Sequence, residues 1–139
     1  IIASIINLST HTTYGVPGFI QDAANFALNQ GDKLEMEVSA PFARRRKIAI
    51  ELLEQQSIVR AVPCSGAMYM MLDIRATGLN GQEFANALLD AKNIAVMPGE
   101  SFGTAAAGHI RVAMTVSDSD FRQALRVLLD FASVQFVTK

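Results

Sequence analysis

Pro98-Gly99-Glu100-Ser101-Phe102-Gly103, followed by His109-Ile110-Arg111-Val112, is the stretch on which the reading of this chain turns. A Gly-rich turn leads into a short strand that sets one arginine among apolar residues. Ile110, Val112 and Met114 alternate with Arg111, so β geometry sends the guanidinium to the face opposite the apolar side chains. Gly99 and Gly103 allow a backbone to approach a ligand closely. The planar fork of an arginine also matches a small carboxylate through paired hydrogen bonds, which a lysine cannot do. Many arginines in this pattern are ordinary ion-pair partners on a sheet face, so the choice rests on the rest of the chain.

Upstream of this stretch, Ile94 to Met97 is a short apolar strand, and Ala67 to Ile74 is another, entered through the turn Pro63-Cys64-Ser65-Gly66. Between them, Asn80 and Glu83 have capping-box spacing and open a helix that should bury Phe84, Leu88 and Ala91. Downstream, Ser117 and Asp120 cap a last helix whose Phe121, Leu125, Leu128, Leu129 and Ala132 form one stripe. Toward the start, residues 1–16 read as a connecting segment, beginning with the end of a helix. Pro17 suits the first position of a helix in which Ile20, Ala23, Ala24, Ala27 and Leu28 face inward, with Gly31 as the stop. Asp32 and Glu35 start a further helix toward Gln56, with Ile48, Leu52 and Leu53 inward and a kink or break near Ala40 caused by Pro41. The expected class is α/β (a two-layer α+β fold), with a small, mostly antiparallel three-stranded sheet covered on one face by helices. The other face, which carries Arg111 and part of Met68 to Asp73, should need something packed on it.

Composition fits this reading. The 139 residues are 50% hydrophobic and 18% charged, with a formal net charge of −1. That is a globular domain of one core, with no electrostatic reason to expect nucleic acid or an anionic membrane. No apolar run approaches the roughly 20 residues that span a bilayer, and Ile1 to Ile6 lack the basic flank of a signal peptide. The single cysteine, Cys64, rules out an internal disulfide framework and suits a reducing, cytoplasmic setting. An apolar start at Ile1 suggests a piece of a longer protein.

No catalytic constellation can be assembled from these residues alone. His11 and His109 have no shared spacing and read as structural. Cys64 has no basic neighbour to stabilise a thiolate. The run Arg44-Arg45-Arg46-Lys47 reads as a solvated helix face, with an anion site as the sharper alternative. Met68, Met70 and Met71 read as core and near-core packing. The Pro98–Gly103 loop lacks a Walker lysine, which argues against a phosphate cradle.

In order along the chain, five segments resemble the carboxy-terminal third of fold type I, class I/II pyridoxal-phosphate aminotransferases. Thr12-Thr13-Tyr14-Gly15-Val16-Pro17 is similar to the loop leaving the large domain. Phe42-Ala43-Arg44-Arg45-Arg46-Lys47 resembles the Tyr-x-x-Arg-Arg-Asp stretch of the long inter-domain helix, with Pro41 and Lys47 as departures. Pro63 to Tyr69 is similar to the Pro-x-Gly-Ala-Phe-Tyr strand entry. Ala95 to Gly103 resembles the Val-x-Pro-Gly-x-x-Phe-Gly loop, and Ile110-Arg111-Val112 the Ile/Val-Arg-Leu/Val strand.

The resemblance implies that residues 1–139 are the carboxy-terminal small domain, with 1–31 the connection from a large domain. It implies that Arg111 pairs with the α-carboxylate of an amino-acid or 2-oxo-acid substrate such as pyruvate. It also implies pyridoxal 5'-phosphate in the full-length enzyme, a homodimer with the Thr12–Gly15 loop near its interface, and closure of the small domain on substrate. Arg75-Ala76-Thr77-Gly78 and Met97 to Ser101 are similar to bacterial amino acid:pyruvate enzymes, including arginine–pyruvate transaminases. The family's Schiff-base lysine, in its Ser-x-x-Lys context, has no counterpart among Lys33, Lys47, Lys92 and Lys139. The chain by itself is therefore expected neither to hold the cofactor covalently nor to transaminate. Two other readings stand beside this one: a free-standing carboxylate-binding or regulatory domain without catalysis, and a purely structural or dimerising domain.

Overall fold

A computed structural model describes residues 1–135 and divides the chain into two units, Ile1–Ser39 and Ala40 onward. Lys139 lies outside the described residues.

The first unit holds α1 (Ile2–Thr12), α2 (Gly18–Asn29) and the opening turns of α3 (Asp32–Leu53). The helix expected at the start of residues 1–16 is α1, and it extends as far as Thr12. Thr10, Thr12 and Thr13 return their hydroxyls to the carbonyls four residues back, at 2.8–3.0 Å. The chain then turns through Tyr14 and Gly15, both at positive φ. Pro17 stands immediately before α2 rather than as its first residue. Gly31 at φ +62° ends that helix as expected. The inward stripe expected on α2 is not buried: Ile20 is 46% exposed and Leu28 80%. The helical spacing of these residues is present, but no residue of this unit reaches full burial. A stripe is buried only when a partner covers it, and no element of its own unit does so.

α3 continues through Pro41, so of the kink or break expected near Ala40 the break does not occur. A proline inside a helix forfeits one N–H bond to the carbonyl four residues back, and the flanking turns hold the rest.

The second unit contains the core. Its strands are β1 (Arg60–Ala61), β2 (Tyr69–Asp73), β3 (Met97–Pro98) and β4 (His109–Ala113). They pair antiparallel throughout in the order β1-β2-β4-β3. The two-residue β1, paired through Arg60↔Asp73 and Ala61↔Leu72, is the strand missing from the expected three. β2 begins at Tyr69 rather than Ala67 because Ala67 sits at φ +69°, in the left-handed region that no strand residue occupies. Met68 is consequently 41% exposed rather than part of the core.

Met70, Leu72, Ile110, Val112 and Met114 face inward and meet the end of α3 with α4 (Gly81–Lys92) and α5 (Asp118–Gln135). α4 carries the full capping box: Asn80 Oδ1 accepts from the Glu83 N–H at 2.9 Å, and Glu83 Oε2 accepts from the Asn80 N–H at 3.0 Å. It buries Phe84, Ala85 and Leu88, while Ala91 is exposed. α5 is capped by Ser117, whose Oγ accepts from the Asp120 N–H at 3.1 Å. It buries Phe121, Leu125, Leu128, Phe131 and Ala132, with Leu129 only half-buried at the edge. Phe131, absent from the expected stripe, meets Phe84 edge-on at 5.4 Å between ring centroids.

Candidate functional site

The alternation that buries Ile110 and Val112 sends Arg111 to the opposite face of β4, as the sequence requires. Register brings Met71 of β2 and Met97 of β3 opposite Arg111 on either side. Tyr69, two residues along β2 from Met71, therefore shares its face. The Arg111 guanidinium carbon lies 4.1 Å from the centroid of the Tyr69 ring and 4.5 Å from that of Phe102. Cations at this distance over aromatic faces are attracted by the ring quadrupole.

Arg111 makes no ion pair and no side-chain hydrogen bond among the described residues, whose arginine–carboxylate pairs belong to Arg44, Arg45 and Arg75. No side-chain nitrogen or oxygen of the described residues is both buried and unpartnered. The Arg111 nitrogens are thus unspent and still reach solvent. A guanidinium carries five N–H donors in a fixed fork, so this site can take a planar bidentate acceptor. The acid on the same face of β2, Asp73, is already held by Arg75, with Nε–Oδ1 at 2.9 Å and Nη2 bonded to Oδ2 at 2.6 Å. That hydrogen-bonded guanidinium lowers the Asp73 pKa from 3.8 to about 2.

The loop that brings Phe102 to Arg111 is a 3₁₀ turn, Gly99–Phe102, followed by a second, Thr104–Ala106. Of its two glycines, Gly103 at φ +105° faces open space, whereas Gly99 leaves no room for a ligand. A Cβ on Gly99 would fall 2.0 Å from the Ala106 carbonyl oxygen and 2.7 Å from that of His109. Gly99 serves close packing of backbone on backbone, correcting the idea that it leaves room for a ligand. Glu100 fastens the loop: its Oε1 accepts from the Gly81 N–H at the start of α4 and from the Gly108 N–H just before β4, both at 3.0 Å. Those donors, Gly108 first, hold the Glu100 carboxyl below the usual carboxylate range. Tyr69, Phe102 and Glu100 were all missed by sequence reasoning. The period-2 spacing of Tyr69, Met71 and Asp73 against Arg111 is the signal that could have found the first of them.

The three arginines of the basic run are spent on acceptors of the protein itself, while Lys47 keeps to the expected solvated face. Arg44 Nε and Arg45 Nε donate to the two oxygens of Asp118, at 3.0 and 2.8 Å, at the first residue of α5. These guanidiniums, Arg44 first, lower the Asp118 pKa. Arg45 also donates to the Met114 carbonyl at 2.8 Å, and Arg46 to the Cys64 carbonyl at 3.0 Å. The arginines tie α3 to the α5 entrance and to the turn before β2. His109 Nδ1 lies 2.9 Å from the Ala107 carbonyl, and His11 Nδ1 lies 2.7 Å from that of Asn7, which are local backbone contacts.

Pyridoxal phosphate finds no fitting lysine in the described residues. Within the second unit, Lys47 lies on α3 and Lys92 on α4, both exposed and neither on a strand of the sheet that carries Arg111; Lys33, also exposed, belongs to the first unit. Among the described residues no three His, Cys, Asp or Glu gather to hold a metal ion, and no helix is long and apolar enough to cross a membrane.

Comparison with known proteins accords with this geometry. A sequence profile described as Aminotransferase class I and II matches residues 1–128. The arginine–pyruvate transaminase AruH of Pseudomonas aeruginosa is 42% identical over 125 residues, covering 89% of this chain and 32% of the relative. An aspartate aminotransferase of Pyrococcus horikoshii is 26% identical over 127 residues, covering 90% and 32%. Among solved structures, the aromatic aminotransferase from Pyrococcus horikoshii OT3 superposes with a TM-score of 0.75 at 26% identity, covering 96% of this chain and 36% of that one. A Thermus thermophilus aspartate aminotransferase mutant gives 0.72 at 31% identity, covering 96% and 36%. The chain spans about a third of the length of the curated relatives it matches.

Proposed function

Because the chain belongs to the class I and II aminotransferase family, we propose that it is the carboxy-terminal domain of an enzyme moving an amino group between an amino acid and a 2-oxo acid, and that Arg111 binds the substrate α-carboxylate. The observation that carries this is the unspent Arg111 fork, over two rings and without an acidic partner among the described residues. A substrate carboxylate would supply the acceptor that the protein itself does not. Paired charge-assisted bonds would then fix both the position and the rotation of the substrate backbone.

Pyridoxal phosphate, the electron sink of such transfers, would be held by residues outside this chain, since the described lysines do not fit it. Residues 1–31 would connect to that region, and the complete enzyme would work as a cytoplasmic homodimer. The similarity to an arginine–pyruvate transaminase supports arginine as donor and pyruvate as acceptor.

The test pairs amino acids with their carboxamides in the complete enzyme, with pyruvate as acceptor. Hydrogen bonds to charged groups contribute about 1.5–3 kcal/mol each, so the carboxamide should lose roughly ten- to a thousandfold in kcat/KM. Equal turnover of acid and amide would contradict carboxylate recognition. The isolated chain is expected to give no turnover.

A further inference from the structure

Two features of the Arg111 site go beyond the presence of an arginine. Its cation lies over two aromatic faces at 4.1 and 4.5 Å, and those contacts spend none of its N–H donors. Both rings are themselves partly open, with Tyr69 40% and Phe102 49% exposed. Neither ring belongs to the core cluster around the buried strands and helices. Packing into the core therefore does not account for their placement beside the cation.

From this we infer that Tyr69 and Phe102 are positioning residues that hold the Arg111 guanidinium, so that its donor edge is presented to a carboxylate at little ordering cost. The inference rests on the carboxylate reading of Arg111. Attraction to the rings acts through the face of the guanidinium, whereas hydrogen bonds leave from its rim, so the two demands do not compete. An unheld arginine would have to give up its rotamer freedom when a ligand binds. The two rings also come from independent elements: Tyr69 from β2, and Phe102 from the 3₁₀ turn that Glu100 fastens to Gly81 and Gly108. The site would thus be assembled from the strand next to β4 and from the loop preceding it, and the order of both matters to the arginine.

The experiment uses the complete enzyme and propionate as a simple carboxylate probe, read as competitive inhibition against the amino-acid substrate. Tyr69→Leu and Phe102→Leu should each weaken propionate inhibition about two- to tenfold, the cost of ordering one freed side chain. KM should rise to a similar extent, with kcat held within about twofold, because binding rather than chemistry is affected. Tyr69→Phe and Phe102→Tyr, which keep a ring, should restore inhibition. In an Arg111→Gln background the leucine substitutions should have no further effect, since they act through the arginine. Thermal unfolding checks each variant, and should one leucine variant fail to fold, the other carries the test. If Arg111→Gln weakens inhibition while both ring variants leave it unchanged, the positioning role is overturned and the carboxylate reading stands. The positioning role is also overturned if the leucine effects persist at full size without Arg111. Inhibition unchanged in Arg111→Gln itself would instead remove the carboxylate reading on which the inference rests.

Discussion

Arg45 and Arg111 occupy two regions of the same unit and are spent in opposite ways. At the α3–α5 junction, Arg45 is only 13% exposed at its side chain, and its donors go to Asp118 and to the Met114 carbonyl. On the outer sheet face, Arg111 is half-buried, held over two rings, with no acceptor among the described residues. Both arginines are partly buried, and what distinguishes their roles is the acceptor. A guanidinium whose donors end on the protein fastens elements together, and one whose donors are left open is available to a ligand.

The largest expected effect tests the loop on which the second region depends. Gly99→Ala would drive a Cβ to 2.0 Å from the Ala106 carbonyl oxygen, a backbone atom that cannot turn aside. Overpacking of this kind should cost about 3 kcal/mol in denaturant unfolding and should loosen the Phe102 turn. A loss within about 0.5 kcal/mol, as for an ordinary surface change, would mean that the approach is not tight.

Arg45→Met probes the first region. It leaves the carbonyl of the fully buried Met114 without its donor. The expected cost is about 1–3 kcal/mol of unfolding free energy, with kcat/KM per folded enzyme unchanged. A drop in kcat/KM with no loss of stability would erase the contrast with Arg111.

The smallest effect concerns the Asp73–Arg75 pair, on the same face of β2 as Tyr69. The folded pKa of Asp73, about 2, lies below its ordinary 3.8, so the unfolded chain binds more protons between these values. Its contribution is therefore complete above about pH 4 and lost as the pH falls toward 2. Arg75 is open to solvent, 68% exposed at its side chain, so the size should be that of a surface pair, about 0.2–1 kcal/mol. Unfolding free energies from pH 5 to 2 should show this slope, and Asp73→Asn should flatten it.

Much of this was legible because local chemistry carried it. Asn80 with Glu83 and Ser117 with Asp120 fixed two helix starts, and the alternation around Arg111 fixed which way that side chain points. Other features depended on partners distant in sequence. β1 is two residues long and exists only because β2 lies beside it. Asp118 stands more than 70 residues from the arginines that hold it, so no spacing rule could pair them. The strand limit at Tyr69 came from the left-handed backbone of Ala67, where nothing in an alanine announces a positive φ. At the site, the arginine was visible from its own strand, whereas Phe102 reaches it from a loop whose course is set by Gly99 and Glu100.

The most direct test of the account is kcat/KM of Arg111→Gln in the complete enzyme, measured beside its unfolding transition. The account predicts a fall of at least about tenfold, and up to roughly a thousandfold, with stability kept within about 1 kcal/mol, the scale of an exposed cation–ring contact. A kcat/KM within about twofold of the unsubstituted enzyme would contradict it, because a loss that small is less than one charged hydrogen bond contributes.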